Sequence, residues 1–271
     1  MTRIAVLQMT SGIDPEENFR TIERAAVDAG EGGAGILFTP EMSLLLDRDR
    51  QRGAATIAHS GYAHFPERLS EVAANTGVDI ALGSMPFPAG EKLANRAYYF
   101  PACGAEPVTY DKMHMFDVDL ATGESWRESN AYAAGDNPVV VEHTPVGRLG
   151  LAICYDLRFP ALFDALGRQQ CDCISIPAAF TVPTGKAHWH VLQRARAIEA
   201  SAFVVAAAQV GKHADGRTTY GYSLVIDPWG EVLLDMGGEE AGLGFADIDL
   251  SRIEEVRAQV PSLANRREID N

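Results

Sequence analysis

Short apolar runs alternate along the chain with segments whose apolar residues recur every three or four positions, the pattern of strands interleaved with amphipathic helices. Residues 4–8 read as a buried strand. Asp14 then offers an N-cap, Pro15 suits the first helical position and Glu17 completes a capping box. Phe19, Ile22 and Ala26 follow on one helical face until Gly30 stops the helix. Residues 35–38 predict a short apolar strand closed by Thr39-Pro40-Glu41. The scheme repeats with a helix over 67–75, where Leu69, Val72 and Ala73 share a face, and a strand over 79–83. Residues 96–100 and 106–110 predict neighbouring antiparallel strands, and 139–142 with 148–153 a second pair around a Pro145-Val146-Gly147 turn. Beyond them lie a helix over 157–167, a strand over 173–176 and a long helix over 187–202 with Val191, Ala195 and Ile198 as its core stripe. Strands over 203–207, 221–226, 231–235 and 244–248 complete the pattern before a helix from Ser251.

Helices interleaved with strands over the whole length predict an α/β layered fold, and the short-turn pairs predict mixed rather than purely parallel sheets. So many strands allow two packed sheets. No linker or repeat divides the 271 residues, so one domain over 1–271 is expected. Lys and Arg number 23 against 37 Asp and Glu, a net charge of −14, which argues against nucleic acid and anionic membranes as partners. No apolar run reaches the ~18 residues of a membrane span and no signal-peptide pattern opens the chain. With four scattered cysteines, this predicts a cytoplasmic protein with reduced thiols. No metal or other cofactor is expected. Cys171 and Cys173 read as core residues, His188 and His190 diverge on a helix, and residues 30–35 precede a strand instead of following one, unlike a phosphate loop.

Three chemically sharp residues stand at strand ends: Glu41, Lys112 and Cys154. Taken singly, each has an ordinary alternative: a solvated carboxylate, a surface cation, a small buried hydrophobe. Cys154, at a strand-to-helix turn, would gain thiolate character from the helix dipole. The surrounding stretches are Phe38-Thr39-Pro40-Glu41, Tyr110-Asp111-Lys112-Met113-His114, and Gly150-Leu151-Ala152-Ile153-Cys154-Tyr155-Asp156-Leu157-Arg158-Phe159-Pro160. Further stretches are Thr184-Gly185-Lys186-Ala187-His188-Trp189, Tyr220-Gly221-Tyr222-Ser223 and Asp227-Pro228-Trp229-Gly230. Together, and in this order, the chain resembles the nitrilase superfamily of carbon–nitrogen hydrolases, in its Nit-type amidase branch.

The resemblance implies a four-layer α-β-β-α sandwich and a homodimer or larger homo-oligomer. It implies a thiol amidase that converts the carboxamide of a small carboxylate substrate to acid and ammonia through a cysteine thioester. The branch points to deaminated glutathione, with free 2-oxoglutaramate as the alternative. A nitrilase and a non-catalytic binding protein are further rivals. In this scheme Cys154 is the nucleophile. Glu41 is the general base and acid, its pKa raised by partial burial. Lys112 and the Tyr155 backbone N–H hold the oxyanion. Glu128, in Trp126-Arg127-Glu128-Ser129-Asn130, falls where the family has a second glutamate, a context that Glu124 fits less well; its ordinary alternative is a pair with Arg127. Arg158 is expected to clamp the substrate carboxylate, with an ion pair to Asp156 as the alternative, and Phe180 and Thr184 to line the pocket. Lys186 stands where the branch has proline and Tyr222 where it has histidine, and both are expected to bear on the pocket. A Cys-His protease would instead need His114 as base.

Overall fold

The computed structural model describes residues 1–59, 61–121, 123 and 125–267. Two mixed sheets lie face to face with helices on both outer sides. The first runs Gly242–Ile248, Thr2–Gln8, Ile36–Phe38, Asp79–Ala89, Lys92–Phe100, Val108–Asp111, with Tyr132–Ala133 also paired to Lys92–Phe100. The second runs Val232–Asp235, Leu224–Ile226, Phe203–Ala206, Cys173–Ser175, Gly147–Leu151, Val139–Thr144. Along both orders the central pairs are parallel and the outer pairs antiparallel, while the added pair of Tyr132–Ala133 with Lys92–Phe100 is parallel.

Period-two alternation sorts the first sheet's side chains between two cores. Ile4, Val6, Ile36 and Phe38 face the second sheet. Ala5, Leu7, Leu37, Ile80 and Leu82 pack against the helices Pro15–Glu31 and Phe65–Thr76. Helices Pro160–Arg168 and Val182–Ala200 cover the second sheet through Leu162, Phe163, Trp189 and Ala197. With apolar layers on both faces, the central strands read as continuous hydrophobic runs, and this is the four-layer sandwich expected.

The differences from the sequence reading have local causes. The expected helix over 157–167 is two elements, a 3₁₀ turn Cys154–Arg158 and the helix Pro160–Arg168, because Pro160 lacks an N–H and begins a helix more readily than it continues one. The long helix begins at Val182, with Pro183 in its first turn. Its stripe of Val191 and Ile198 is 62% and 50% exposed, not core. The buried face instead carries Trp189, Gln193, Arg196 and Ala197. Arg196 is admitted there by donating to the Leu157 carbonyl at 2.7 and 2.8 Å and to Glu199 at 2.7 Å. A helix Arg50–Ala58 forms without an apolar stripe, capped by the Asp49 carboxylate, which accepts from the Gln51 and Arg52 amides. The strand expected over 221–226 is interrupted because Gly221 and Tyr222 take positive φ of 74° and 58°, leaving Leu224–Ile226 in the sheet and Thr218–Tyr220 in a separate hairpin.

Candidate active site

Parallel strands deliver the chemistry to one end of the two sheets, the usual place for a site in such folds. Ile36–Phe38 leads into Glu41, Gly147–Leu151 into Cys154, and Cys173–Ser175 into Ala179. Lys112 directly follows the edge strand Val108–Asp111. The turn carrying Glu41 is pressed against Gly83, whose amide donates to Thr39 Oγ1 at 3.1 Å. A Cβ at Gly83 would overlap the Thr39 and Pro40 carbonyl oxygens, so only glycine fits there. Cys154 itself has φ of +48°, a strained value for a side-chain-bearing residue, and its amide donates to the Pro177 carbonyl at 2.8 Å.

Glu41, Lys112 and Cys154 meet. Lys112 Nζ donates to Glu41 Oε1 at 3.0 Å and to Glu128 Oε1 and Oε2 at 3.1 and 2.9 Å. Glu41 Oε2 accepts from the Ala179 amide at 2.8 Å, and Cys154 lies beside the Glu41 carboxyl in the same cavity. Glu128 also accepts from the Phe116 amide at 2.7 Å, while Arg127 pairs with Asp119 instead. The Tyr155 backbone N–H donates to no protein acceptor among the described residues. Glu124 lies outside the described residues.

These contacts correct two expectations about charge. Burial pushes the Cys154 thiol well above its ordinary range, and the neighbouring Glu41 charge pushes the same way, so the resting group is a thiol and not a thiolate. Burial alone would raise Glu41. The Lys112 charge, with hydrogen bonds from Lys112 and the Ala179 amide, outweighs it and holds the carboxyl below its usual 4.5. Burial likewise opposes charge on Lys112, but Glu128 and Glu41 keep it an ammonium.

Two residues to which the sequence reading gave no role at the site hold its parts together, Asn95 outside every quoted stretch and Asp156 inside the one around Cys154. Asn95, fully buried, donates from Nδ2 to Glu41 Oε1 at 2.9 Å and to Glu128 Oε1 at 3.1 Å. Its Oδ1 has no partner among the described residues, and the two carboxylates on the other side fix the amide's orientation. A lone asparagine inside the apolar run Lys92–Phe100 was the available signal, since strands disfavour it. Asp156, also fully buried, accepts from the Tyr110 hydroxyl at 2.7 Å, the Ile153 amide at 2.9 Å and the His114 amide at 3.0 Å. It thereby ties the segment after Lys112 to the cysteine turn.

A cavity of about 1260 Å³ opens over the cluster, lined among others by Glu41, Lys112, Glu128, Cys154, Tyr155, Phe180 and Thr184. The carbon-nitrogen hydrolase family pattern matches residues 3–258. The chain belongs to that family.

A deaminated glutathione amidase of Synechocystis sp. (strain PCC 6803 / GT-S) is 41% identical over 267 residues, 97% of each chain. The crystal structure of the C. elegans NitFhit protein superposes with a TM-score of 0.88 at 35% identity, over 98% of this chain and 65% of that one. A glutamate-to-glutamine mutant of the amidase from Nesterenkonia sp. AN1 superposes with a TM-score of 0.82 at 26% identity, over 98% and 94% of the two chains. That structure is described as showing covalent addition of the acetamide moiety of fluoroacetamide at the active site cysteine. This carbon-nitrogen hydrolase acts on amides.

Other expected site residues fall at or beyond the cavity wall. Arg158 is not among the lining residues. Its guanidinium lies 5.3 Å from the Phe180 ring centroid and 5.9 Å from that of Tyr155, and within 3.2 Å of His188 Nδ1, making no bond to Asp156. Lys186 and Tyr222 do not line the cavity either. Tyr222 stacks on Tyr220 at 4.5 Å. His114 is stacked on Phe159 at 3.7 Å, with Nδ1 2.7 Å from Asp156 Oδ1. Among the described residues, no helix is long and apolar enough to cross a membrane.

Proposed function

We propose that the protein hydrolyses deaminated glutathione through a Cys154 thioester. The observation that carries this reading is the ammonium of Lys112 held between Glu41 and Glu128, with Cys154 beside Glu41 on the same cavity. Glu41, already ionised, takes the thiol proton as sulfur attacks the amide carbon, so no free thiolate is needed. Of the three N–H bonds of Lys112, two are committed to the glutamates. The third, with the unbonded Tyr155 N–H, is available to the oxyanion, and a donor of this kind is worth about 10²–10³ in rate.

Collapse of the tetrahedral adduct breaks the C–N bond, and Glu41 returns its proton to the departing nitrogen. Water then enters with Glu41 again as base, cleaving the thioester to the acid and restoring the thiol. Deaminated glutathione carries its amide on the nitrogen of cysteinylglycine, so the leaving group is that dipeptide. Ammonia is the leaving group only for free 2-oxoglutaramate, the alternative substrate.

The resemblance to the Synechocystis amidase supports the substrate, and the cysteine adduct described for the Nesterenkonia amidase supports the covalent step. Cys154→Ala should abolish cysteinylglycine release with an unchanged melting curve, and Glu41→Gln, lacking the base for both steps, should lose turnover as well. Turnover persisting in Cys154→Ala would refute the assignment. The engagement of His114 with Asp156 speaks against a Cys-His mechanism.

A further inference from the structure

The cavity continues well past the reacting cluster, and its outer wall is charged opposite to the molecule. Overall the chain carries −14, and the inner cluster of two glutamates and one lysine is itself negative. Further out, the cations Arg48, Arg50, Lys92, Arg127 and Arg217 line the cavity and outnumber its outer carboxylates, Asp47 and Glu91. Among the described residues, Arg50 and Lys92 donate only to the Arg127 and Ser129 carbonyls, at 2.7 and 2.9 Å. The Arg48 guanidinium has no carboxylate partner among them; its Cζ lies 5.8 Å from the Trp126 ring centroid. Arg217 lies 5.2 Å from the same ring, fixed by Asp215 at 2.7 Å. Two guanidiniums thus lie against one indole, Arg217 as half of an ion pair with Asp215 and Arg48 as the cation left without a carboxylate among the described residues.

A wall of rings joins this pair to the nucleophile. Tyr155, next to Cys154, lies 5.1 Å from Phe116, and Phe116 lies 6.2 Å from Trp126, between ring centroids. A two-residue leaving group, extended over about 7 Å, fits along such a wall. From this geometry we infer that Arg48 and Arg217, seated on Trp126, form a subsite for the terminal carboxylate of a peptide-like leaving group. The inference rests on the proposed function and deepens it. A substrate whose amide nitrogen leaves as ammonia has nothing to place there, whereas cysteinylglycine ends in the glycine carboxylate the subsite takes. The cationic rim also supplies the local attraction that an acidic protein otherwise denies an anionic substrate.

The test compares kcat/KM for deaminated glutathione, for its C-terminal glycinamide and for 2-oxoglutaramate, in the wild type, Arg48→Gln and Arg48→Lys. Among the described residues the Arg48 side chain makes no hydrogen bond, so the contact that Arg48→Gln removes is the one with Trp126. The wild type should prefer the free carboxylate over the glycinamide about tenfold, equivalent to about 1.4 kcal/mol. That ratio should fall toward one in Arg48→Gln through KM, be largely kept in Arg48→Lys, and shrink with added salt. A wild-type ratio of one, or a ratio unchanged in Arg48→Gln, overturns the subsite while leaving the proposed function standing. A wild type that hydrolyses 2-oxoglutaramate and not deaminated glutathione overturns the substrate reading, and the subsite with it.

Discussion

Replacing Asn95 by leucine, close to it in volume, tests whether a group that never touches substrate sets the protonation of the base. Asn95, itself fully buried, donates from Nδ2 to Glu41 Oε1 at 2.9 Å, so its removal leaves the carboxylate with one charged-acceptor bond fewer. Such a bond is worth about 1.5–3 kcal/mol. At about 1.36 kcal/mol per pKa unit, Glu41 should rise by about one to two units. In the wild type the carboxyl sits below 4.5 and must be ionised to accept the thiol proton, so activity is lost only as pH falls through that low value. In Asn95→Leu the acid limb of kcat/KM, which reports the free enzyme, should therefore move toward neutrality by the same one to two units. Asn95→Asp should move it as well, because three carboxyls around one lysine cannot all ionise. Initial rates measured across the acid range, with thermal melts at each pH, give the answer. An acid limb that coincides with the wild type, with kcat merely scaled down, would refute the reasoning and leave Asn95 a packing residue.

Two further substitutions probe the scaffold around the site. Gly83→Ala drives a methyl group into the Thr39 and Pro40 carbonyls, and it should cost about 1–3 kcal/mol in stability and lower kcat by displacing Glu41; a normal melt with full activity would show that the turn yields freely. Asp156→Asn turns a carboxylate contacted by the Tyr110 hydroxyl, the Ile153 amide, and the His114 amide and Nδ1 into a group that must present an N–H to one of the two backbone amides, with an expected loss of about 1–3 kcal/mol and a fall in kcat larger than in KM. Unaltered thermal stability would contradict its role in tying the Lys112 segment to the cysteine turn.

The local grammar of the chain was legible without coordinates. Apolar runs and caps gave most strands and helices, and the strand-end positions of Glu41, Lys112 and Cys154 followed from them, because which residue ends an element depends on near neighbours. Elements without an apolar stripe, such as Arg50–Ala58, escaped that reading, and the stripe of Val191 and Ile198 misled it because Arg196 is buried on satisfied hydrogen bonds. Tertiary structure alone decided the charge states: Glu41 meets Ala179 across 138 positions and Lys112 across 71, and burial and partners at that range carry no periodic trace. The same holds for Asn95 between its two glutamates, for Arg158 behind Phe180, and for Arg48 and Arg217 on one indole. Periodicity reports which face of an element is covered, whereas distance through space sets the electric field and hydrogen-bond partners that determine what a side chain can do.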